Sequence, residues 1–277
     1  DLSSKRILVV GATGGIGIEI LTELTARGAA VIGTGRNGAR LADIKTAGGI
    51  PLVLELDDPY AAAQGARAAV EREFGAGLDG LVLSAGGYGP IGPTRTAQVG
   101  DLEKALAANL LSPLAIVQAV SSALDDAAEP SVAFLSGGGA TDAFPFYTAY
   151  ALSKVATVRL VENLAAEEPS WKVNAIAPGF VATAIHDATM QVDPAETGGF
   201  RERTEDMMKR AVAPSVAAEL IAFLMSSASH GISGRLISAV WDPWREAAGV
   251  EALRHHTSFG RLRRIDGHFY RDSEDSV

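Results

Sequence analysis

The sequence contains no cysteine, and this absence excludes several kinds of site. There can be no disulfide framework, no thiolate metal centre and no cysteine nucleophile. The adjacent His255 and His256 do not suggest a metal site, because neighbouring side chains point apart on any regular element and no matching ligand cluster is visible. We therefore expect no metal, and a chain without thiols fits a reducing compartment.

Long apolar runs and an excess of positive charge are also missing. No segment reaches 18 uninterrupted apolar residues, so the sequence does not predict a transmembrane helix. The formal net charge of −9 argues against sequence-independent binding of nucleic acid or of anionic membranes. We expect a cytoplasmic protein that binds a small molecule, with neither nucleic acid nor membrane as a partner.

No feature of the sequence divides the chain into several domains. Its 277 residues, 47% of them hydrophobic, are enough for one large α/β core. No linker rich in proline and serine, charge block or low-complexity tract interrupts them. We predict one domain over residues 1–240 and a C-terminal extension, 241–277, whose Trp241 and Trp244 indicate packing on that domain or on a neighbouring subunit.

Short apolar segments alternate regularly with helical ones along the chain. The predicted strands are Arg6–Val10, Ala30–Thr34, Leu52–Leu56, Gly80–Leu83, Val132–Leu135, Val173–Ile176 and Gly234–Ala239. One predicted helix follows the first strand and ends at Arg27. The others cover Tyr60–Phe74, Asp101–Leu124, Tyr147–Glu167 and Ser215–Met225. This alternation predicts an α/β fold of the Rossmann type, a doubly wound, seven-stranded parallel sheet with helices on both faces.

A glycine-rich turn follows the first strand and leads into a helix; it reads Gly11-Ala12-Thr13-Gly14-Gly15-Ile16-Gly17. Such a turn lets the backbone approach a pyrophosphate, whose charge meets the unpaired amides of the helix N-terminus. The spacing differs from Gly-x-Gly-x-x-Gly, and a glycine cluster can be only a tight turn. The strand-to-helix setting nevertheless favours a nucleotide site.

The second strand ends at Gly35-Arg36-Asn37, where a dinucleotide-binding fold selects the ribose. No acidic residue stands there to hold an adenosine 2′-hydroxyl, whereas Arg36 can pair with a 2′-phosphate. This position favours NADP(H) over NAD(H), although an arginine at a strand end can also be simply solvated.

Tyr150 and Lys154 lie four residues apart in a predicted helix and therefore share one face. A free phenol titrates near pH ~10, and an ammonium one turn away favours the phenolate. The pair is a candidate acid/base for a carbonyl/alcohol couple. Taken alone it could be a buried tyrosine beside a solvated lysine, but a preceding cofactor site strengthens the catalytic interpretation.

Together these motifs resemble those of the short-chain dehydrogenase/reductase family in order and spacing, over roughly residues 5–240. The resemblance is carried by the Gly11–Gly17 turn, Ser84-Ala85-Gly86, Asn109, the Ser136 loop, Tyr150-xxx-Lys154 and Pro178-Gly179. It implies an NAD(P)-dependent oxidoreductase that transfers a hydride between nicotinamide and a carbonyl or secondary alcohol. It also implies a homodimer or homotetramer.

The resemblance implies four catalytic residues. Tyr150 would exchange a proton with the substrate oxygen, while Lys154 would lower the pKa of that tyrosine and bind the nicotinamide ribose. Ser136 would donate a hydrogen bond to the substrate oxygen. Asn109 would hold a water that continues the proton relay through Lys154.

The resemblance also implies a cofactor site, in which Asp57 would contact the adenine and Thr183 the nicotinamide carboxamide. Its full set is Gly11, Thr13, Gly14, Gly15, Ile16, Gly17, Arg36, Asn37, Leu56, Asp57, Ser84, Ala85, Gly86, Tyr150, Lys154, Pro178, Gly179, Val181 and Thr183.

Three positions depart from the family pattern. Val10 stands where a threonine is usual, and Ser84 replaces the usual asparagine. The catalytic serine usually precedes the tyrosine by thirteen positions, but here Gly137 has that place and Ser136 lies fourteen before Tyr150. We expect Ser136 to contact the substrate oxygen; alternatively it only closes a strand and the site lacks its serine.

Residues 184–212 occupy the place of a mobile substrate lid in this family, with Gly198-Gly199 as a possible hinge. Within it, His186 is expected at the surface. Two other functions stay open beside the reductase. One is a catalytically weak or inactive NAD(P)-binding regulator, motivated by the displaced serine, and the other an epimerase or dehydratase with tightly held cofactor. The substrate is not defined by the sequence.

Overall fold

A seven-stranded sheet forms the centre of the computed structural model, which describes residues 1–36, 38–75 and 77–264. All neighbouring strands pair in parallel, in the order β3-β2-β1-β4-β5-β6-β7. The predicted doubly wound parallel sheet is therefore confirmed. Its strands are β1 (Arg6–Val10), β2 (Ala30–Gly35), β3 (Ile50–Val53), β4 (Gly80–Leu83), β5 (Ser131–Leu135), β6 (Lys172–Ala177) and β7 (Arg235–Ser238).

Helices cover both faces of this sheet. They are α1 (Gly15–Ala26), α2 (Leu41–Thr46), α3 (Pro59–Phe74), α4 (Val99–Leu106), α5 (Ser112–Asp125), α6 (Thr148–Glu167), α7 (Asp187–Gln191), α8 (Phe200–Met208), α9 (Pro214–Met225) and α10 (Ala247–His255). Alternate residues of β1 serve the two faces, as the period of a strand requires. Ile7 and Val9 join the core cluster of α1 and α9, whereas Leu8 and Val10 join that of α3, α5 and α6.

The strand β3 begins two residues before the predicted Leu52 and ends at Val53. Pro51 lies inside it, paired in register with Gly33 of β2. Proline cannot donate to a ladder, but β3 pairs only with β2 and forms the edge of the sheet, where a missing N–H is tolerated. Leu54 and Leu56, predicted to be in the strand, follow it and are buried in the core.

The predicted Asp101–Leu124 helix is one helical run from Val99 to Asp125, interrupted by a π-helical turn at Ala107–Leu111. The run is long and apolar enough, by composition, to cross a membrane. Its α5 part packs on the sheet through Ile116, Val120 and Leu124, all buried, which is the setting of a core helix.

The connections place two strand ends beside one crevice. From β1 the chain passes to β2 and β3 on one side, and it then returns to build β4 to β7 on the other. The carboxyl ends of β1 and β4 therefore flank the point where the strand order reverses, and ligands bind at this point in open α/β sheets.

The first part of the C-terminal extension packs on the sheet domain. Trp244 is buried and donates from Nε1 to the Ala239 carbonyl at 3.1 Å, and Leu253 of α10 joins the α1–α9 core cluster. Trp241, also expected to pack, is 84% exposed. Residues 265–277 lie outside the described residues.

Candidate active site

The glycine-rich turn ends in a helix terminus that is open to an anion. No side chain caps the N-terminus of α1, where Gly14 is the N-cap residue, and no acidic residue lies in its first turn. The first amides of a helix have no partner within it, so these N–H groups and the positive end of the helix dipole are available to a phosphate. Gly11 has φ +87, a conformation that glycine adopts without strain.

Two other strand-end loops approach this turn so closely that side chains would not fit. A Cβ on Gly11 would lie 2.6 Å from the Ala85 nitrogen, and a Cβ on Gly15 would lie 2.7 Å from the Thr183 methyl carbon. The loops after β1, β4 and β6 therefore meet at one place, and the predicted cofactor contacts of Ala85 and Thr183 stay predictions.

The hydroxyl that Val10 cannot supply comes from the next strand. The Gly11 N–H donates to Thr34 Oγ1 of β2 at 3.1 Å, so the start of the turn is still anchored. Ser84 anchors the β4 end in a similar way, because its Oγ and its N–H both donate to the Val10 carbonyl, at 2.8 and 2.9 Å. The two departures from the family pattern thus leave the turn hydrogen-bonded.

The predicted adenosine residues lie at the ends of β2 and β3. Arg36 is exposed directly after β2, and Asp57 is exposed after Leu56, whose carbonyl accepts a bond from Ser112 Oγ at 2.7 Å. Asn37 lies outside the described residues. The remaining predicted cofactor residues lie in the α1 turn or after β4 and β6: Thr13, Gly14, Ile16, Gly17, Gly86, Pro178, Gly179 and Val181.

Tyr150 and Lys154 lie on α6 and are both buried, with Lys154 Nζ 5.3 Å from the centre of the Tyr150 ring. Lys154 Nζ donates to the Leu135 carbonyl at 2.8 Å. Burial raises the pKa of Tyr150 to about 12 and lowers the pKa of Lys154 to about 8. The expected fall in the tyrosine pKa is therefore not seen in this structure, because desolvation of the phenolate dominates.

Asn109 lies in the π-helical turn and connects α5 to the loop after β4. Its side chain accepts from the Gly87 N–H at 3.0 Å and donates to the Gly87 carbonyl at 2.8 Å. A Cβ on Gly86 would lie 3.4 Å from Asn109 Oδ1 and 3.6 Å from Lys154 Nζ, so both side chains reach the same glycine. The amide of Asn109 thus orients the loop beside Lys154. Its predicted water stays a prediction.

The serine loop is arranged differently from the expectation. Ser136 is buried, and its Oγ lies 3.5 Å from the Lys154 carbonyl oxygen, a long hydrogen bond to the α6 backbone. Gly137 is the residue that faces the tyrosine, because a Cβ there would lie 2.8 Å from the Tyr150 hydroxyl. The predicted contact between Ser136 and the substrate oxygen stays a prediction.

Aromatic side chains form a cluster with Tyr150, and we call its members other than Tyr150 the aromatic wall: Tyr88, Phe144, Tyr147 and Phe200. Tyr88 and Tyr150 meet edge to face with their ring centres 5.0 Å apart, and Phe144 stacks on Tyr147 at 4.5 Å. Tyr147 points its hydroxyl at Thr189 Oγ1, 3.0 Å away, and not at the Tyr150–Lys154 pair. An uncharged, apolar substrate matches such a wall.

His186 was expected at the surface but is buried, with 6% of its surface exposed. Its Nε2 lies 3.1 Å from the Val181 carbonyl, which can only accept, so Nε2 carries the proton and Nδ1 accepts from the Tyr88 hydroxyl at 2.9 Å. Burial lowers the pKa of His186 and keeps the ring neutral. No sequence pattern indicates these bonds, because the partners Tyr88 and Val181 come from different strand-end loops.

Comparison with known proteins identifies the family of the chain. A family model described as enoyl-(acyl carrier protein) reductase matches residues 11–239, from the glycine-rich turn to the end of β7. The chain belongs to the short-chain dehydrogenase/reductase family. It is 30% identical, over 253 residues, to an uncharacterized oxidoreductase of Mycobacterium tuberculosis, covering 86% of this chain and 90% of that protein.

Solved short-chain dehydrogenases have the same fold. One from Salmonella enterica serovar Typhi is 26% identical, with a TM-score of 0.74 over 86% of this chain and 97% of that one. Another, from Shigella flexneri and complexed with NADP, is 25% identical, with a TM-score of 0.73 over 86% of this chain and 98% of that one.

The residues of this short-chain dehydrogenase/reductase fit a nicotinamide dinucleotide. The cradle formed by Gly11 and Gly15 has no space for side chains, and the amides at the start of α1 have no side-chain cap. Both features suit a pyrophosphate, which needs close backbone approach and N–H donors.

Proposed function

We propose that this protein is an NADP(H)-linked reductase/dehydrogenase acting on an apolar ketone or secondary alcohol. The observation that carries the proposal is the position of the Tyr150 hydroxyl. It has no hydrogen-bond partner among the described residues, although Tyr150 is only 9% exposed, and Lys154 lies beside it. A buried phenol without a partner is suited to give its proton to a substrate oxygen.

The chain's own residues have distinct tasks in this proposal. Tyr150 transfers the proton, and the ammonium of Lys154, held by the Leu135 carbonyl, stabilises the phenolate that forms. Asn109 holds the loop at Gly87 in place beside them. When bound, NADP(H) supplies or accepts the hydride. A small-molecule substrate, a cytoplasmic location and a homodimer or homotetramer complete the proposal.

The test is Tyr150→Phe, which keeps the ring in the aromatic wall and removes only the hydroxyl. We expect turnover of ketones with NADPH, followed at the nicotinamide absorbance, to fall by at least about 100-fold, because general acid catalysis contributes 10²–10⁴. Binding of NADPH, measured by fluorescence, should stay within threefold of wild type. Unchanged turnover would refute the assignment.

Assays of cofactor binding and of turnover on ketones, alcohols and enoyl thioesters separate the alternatives. Cofactor binding without turnover of any ketone, alcohol or enoyl thioester supports a regulator. A cofactor that co-purifies and shows no net change of redox state supports an epimerase or dehydratase.

The preference for NADP(H) is proposed from Arg36, the exposed arginine directly after β2. Arg36→Ala should weaken NADPH binding about tenfold or more, because a guanidinium–phosphate pair is lost, while NADH binding changes less than twofold. The dissociation constants of both cofactors, measured for both proteins, check this. Equal weakening for NADH and NADPH would show that Arg36 does not read the 2′-phosphate.

A further inference from the structure

In the loop after β5, Gly137 lies beside the Tyr150 hydroxyl at the position where the family pattern has a serine. A Cβ on Gly137 would lie 2.8 Å from this hydroxyl, so the phenol occupies space that any side chain at 137 would need. Ser136 directs its Oγ at the Lys154 carbonyl. Gly137 itself therefore offers the substrate oxygen no side-chain donor.

The backbone of the same loop has free donors. The Ala140 N–H donates to the Gly137 carbonyl at 3.3 Å, and Gly139 has φ +83, two features that match a type II turn over Gly137–Ala140. Among the described residues, the N–H groups of Gly137, Gly138 and Gly139 have no acceptor. Unpaired amides beside a catalytic group are the usual components of an oxyanion hole.

Two groups near this turn thus have no hydrogen-bond partner among the described residues. Tyr150 is 9% exposed, and its hydroxyl has no partner among the described residues. Gly138 follows Gly137 directly, is exposed, and has an N–H without an acceptor among the described residues. A carbonyl oxygen placed between them could accept the N–H hydrogen bond and the phenolic proton together.

We propose that the main-chain N–H of Gly138 holds the substrate carbonyl oxygen in place of a serine hydroxyl, and that Gly137 is a positioning residue that leaves room for the Tyr150 hydroxyl. The inference rests on the proposed function. In reduction, the carbonyl carbon accepts a hydride and its π electrons move to the oxygen. NADPH is oxidised to NADP⁺, and the oxygen takes the Tyr150 proton to give the alcohol.

The decisive comparison is Gly138→Pro against Gly138→Ala. Proline is favoured at the second position of a type II turn, so it keeps the turn and removes only the N–H, whereas alanine keeps the N–H. A Cβ at 138 would meet only Phe144, at the ordinary distance of 3.8 Å. We expect kcat of the proline variant to be 10- to 100-fold below that of the alanine variant, with KM within threefold.

A second variant covers the case in which Gly138→Pro does not fold, as judged by circular dichroism. Gly137→Ser restores the serine of the family pattern, but its Cβ would displace the Tyr150 hydroxyl. We expect kcat to fall at least tenfold.

The outcomes separate the two proposals. Equal kcat for Gly138→Pro and Gly138→Ala, or a higher kcat for Gly137→Ser than for wild type, would overturn the backbone donor and leave the reductase assignment intact. A wild-type protein that turns over no carbonyl would overturn both.

Discussion

At Lys154 the needs of catalysis and of stability oppose each other. Lys154 is 4% exposed, and its ammonium donates a hydrogen bond to a neutral carbonyl, that of Leu135. Desolvation disfavours the charged form, and this lowers the lysine pKa to about 8. The proposed catalysis requires that charge beside Tyr150. The folded protein therefore retains a group that lowers its free energy of unfolding near neutral pH.

Replacing this lysine should therefore stabilise the protein while abolishing turnover. Between about pH 8 and 10.5 the folded state binds fewer protons at Lys154 than the unfolded chain, so the lysine's contribution becomes more favourable as pH rises. At pH 7, we expect Lys154→Met to raise the free energy of unfolding by about 1–3 kcal/mol, less than the full shift because Leu135 loses its donor.

Urea unfolding at pH 7 and pH 9.5 tests this prediction. The difference between Lys154→Met and wild type should shrink at the higher pH. Lys104→Met is the control, since the Lys104 side chain is 80% exposed and should change stability by less than about 0.5 kcal/mol at either pH. A Lys154→Met protein that is less stable than wild type at pH 7 would contradict the argument.

Some features of the candidate site could be predicted from the sequence and others could not. Tyr150, Lys154 and the glycine-rich turn were recognisable because their spacing along one helix or one turn determines their geometry. The direction of Ser136 and the burial of His186 were not, because each depends on contacts with distant parts of the chain, Lys154 for the first and Tyr88 for the second. The sequence identified Gly137 as a departure, but only the structure shows that it faces the tyrosine.

Among the secondary-structure elements, the lid is held against the body by polar contacts as well as by rings. His186 bonds to Tyr88 of the β4 loop, and Thr189 of α7 accepts from Tyr147 at the start of α6. Phe200 of α8 meets Phe144 edge to face at 4.7 Å. These contacts pack residues 184–212, the predicted lid, against the loops after β4 and β5 and the start of α6.

The His186 contact should make the stability of the lid depend on pH. Burial lowers the histidine pKa and the nearby Asp187 carboxylate opposes that shift, so the unfolded chain takes up the proton first as pH falls. The stabilisation is therefore complete above the unfolded pKa of about 6.5 and is lost as pH falls below it. Once protonated, the ring can no longer accept from Tyr88.

The substitution that tests this contact is His186→Gln, which can donate and accept but does not titrate. We expect wild type to lose stability relative to this variant between pH 7.5 and 5.5, by up to about 1.4 kcal/mol per pH unit. Hydrogen exchange of residues 184–212, corrected for the intrinsic rate at each pH, should show the same trend. A constant difference between the two proteins across this range would show that His186 does not titrate in the lid.

The structure differs from the predicted elements at two places, for reasons that a sequence pattern does not contain. Pro51 is acceptable in β3 only because β3 is the edge strand, and the order of strands is a property of the assembled sheet. The helix at 99–125 was predicted, but not its π-helical turn at Asn109. Such turns are frequent at functional sites, and here the turn carries the side chain that binds Gly87.

At the scale of the whole molecule, the extension after β7 completes the core. Trp244 is 5% exposed, packs near Phe223 with ring centres 5.7 Å apart, and has the Arg245 guanidinium 3.9 Å above its ring. With Leu253 of α10, it covers the α1–α9 face, which the helices of the sheet domain leave partly open. Stability of the sheet therefore depends on residues beyond β7.

The two tryptophans of this segment provide a matched pair that tests the dependence. Trp244→Ala removes a buried ring and leaves the Ala239 carbonyl without its donor, so it should lower the free energy of unfolding by about 3–5 kcal/mol. Trp241→Ala removes a ring of the same kind that is 84% exposed, and we expect a change below about 0.5 kcal/mol.

Urea unfolding followed by circular dichroism, at several protein concentrations, measures both. Similar small losses for both variants would mean that the extension does not stabilise the sheet, whereas a large loss for Trp241→Ala that depends on protein concentration would place Trp241 at a subunit contact.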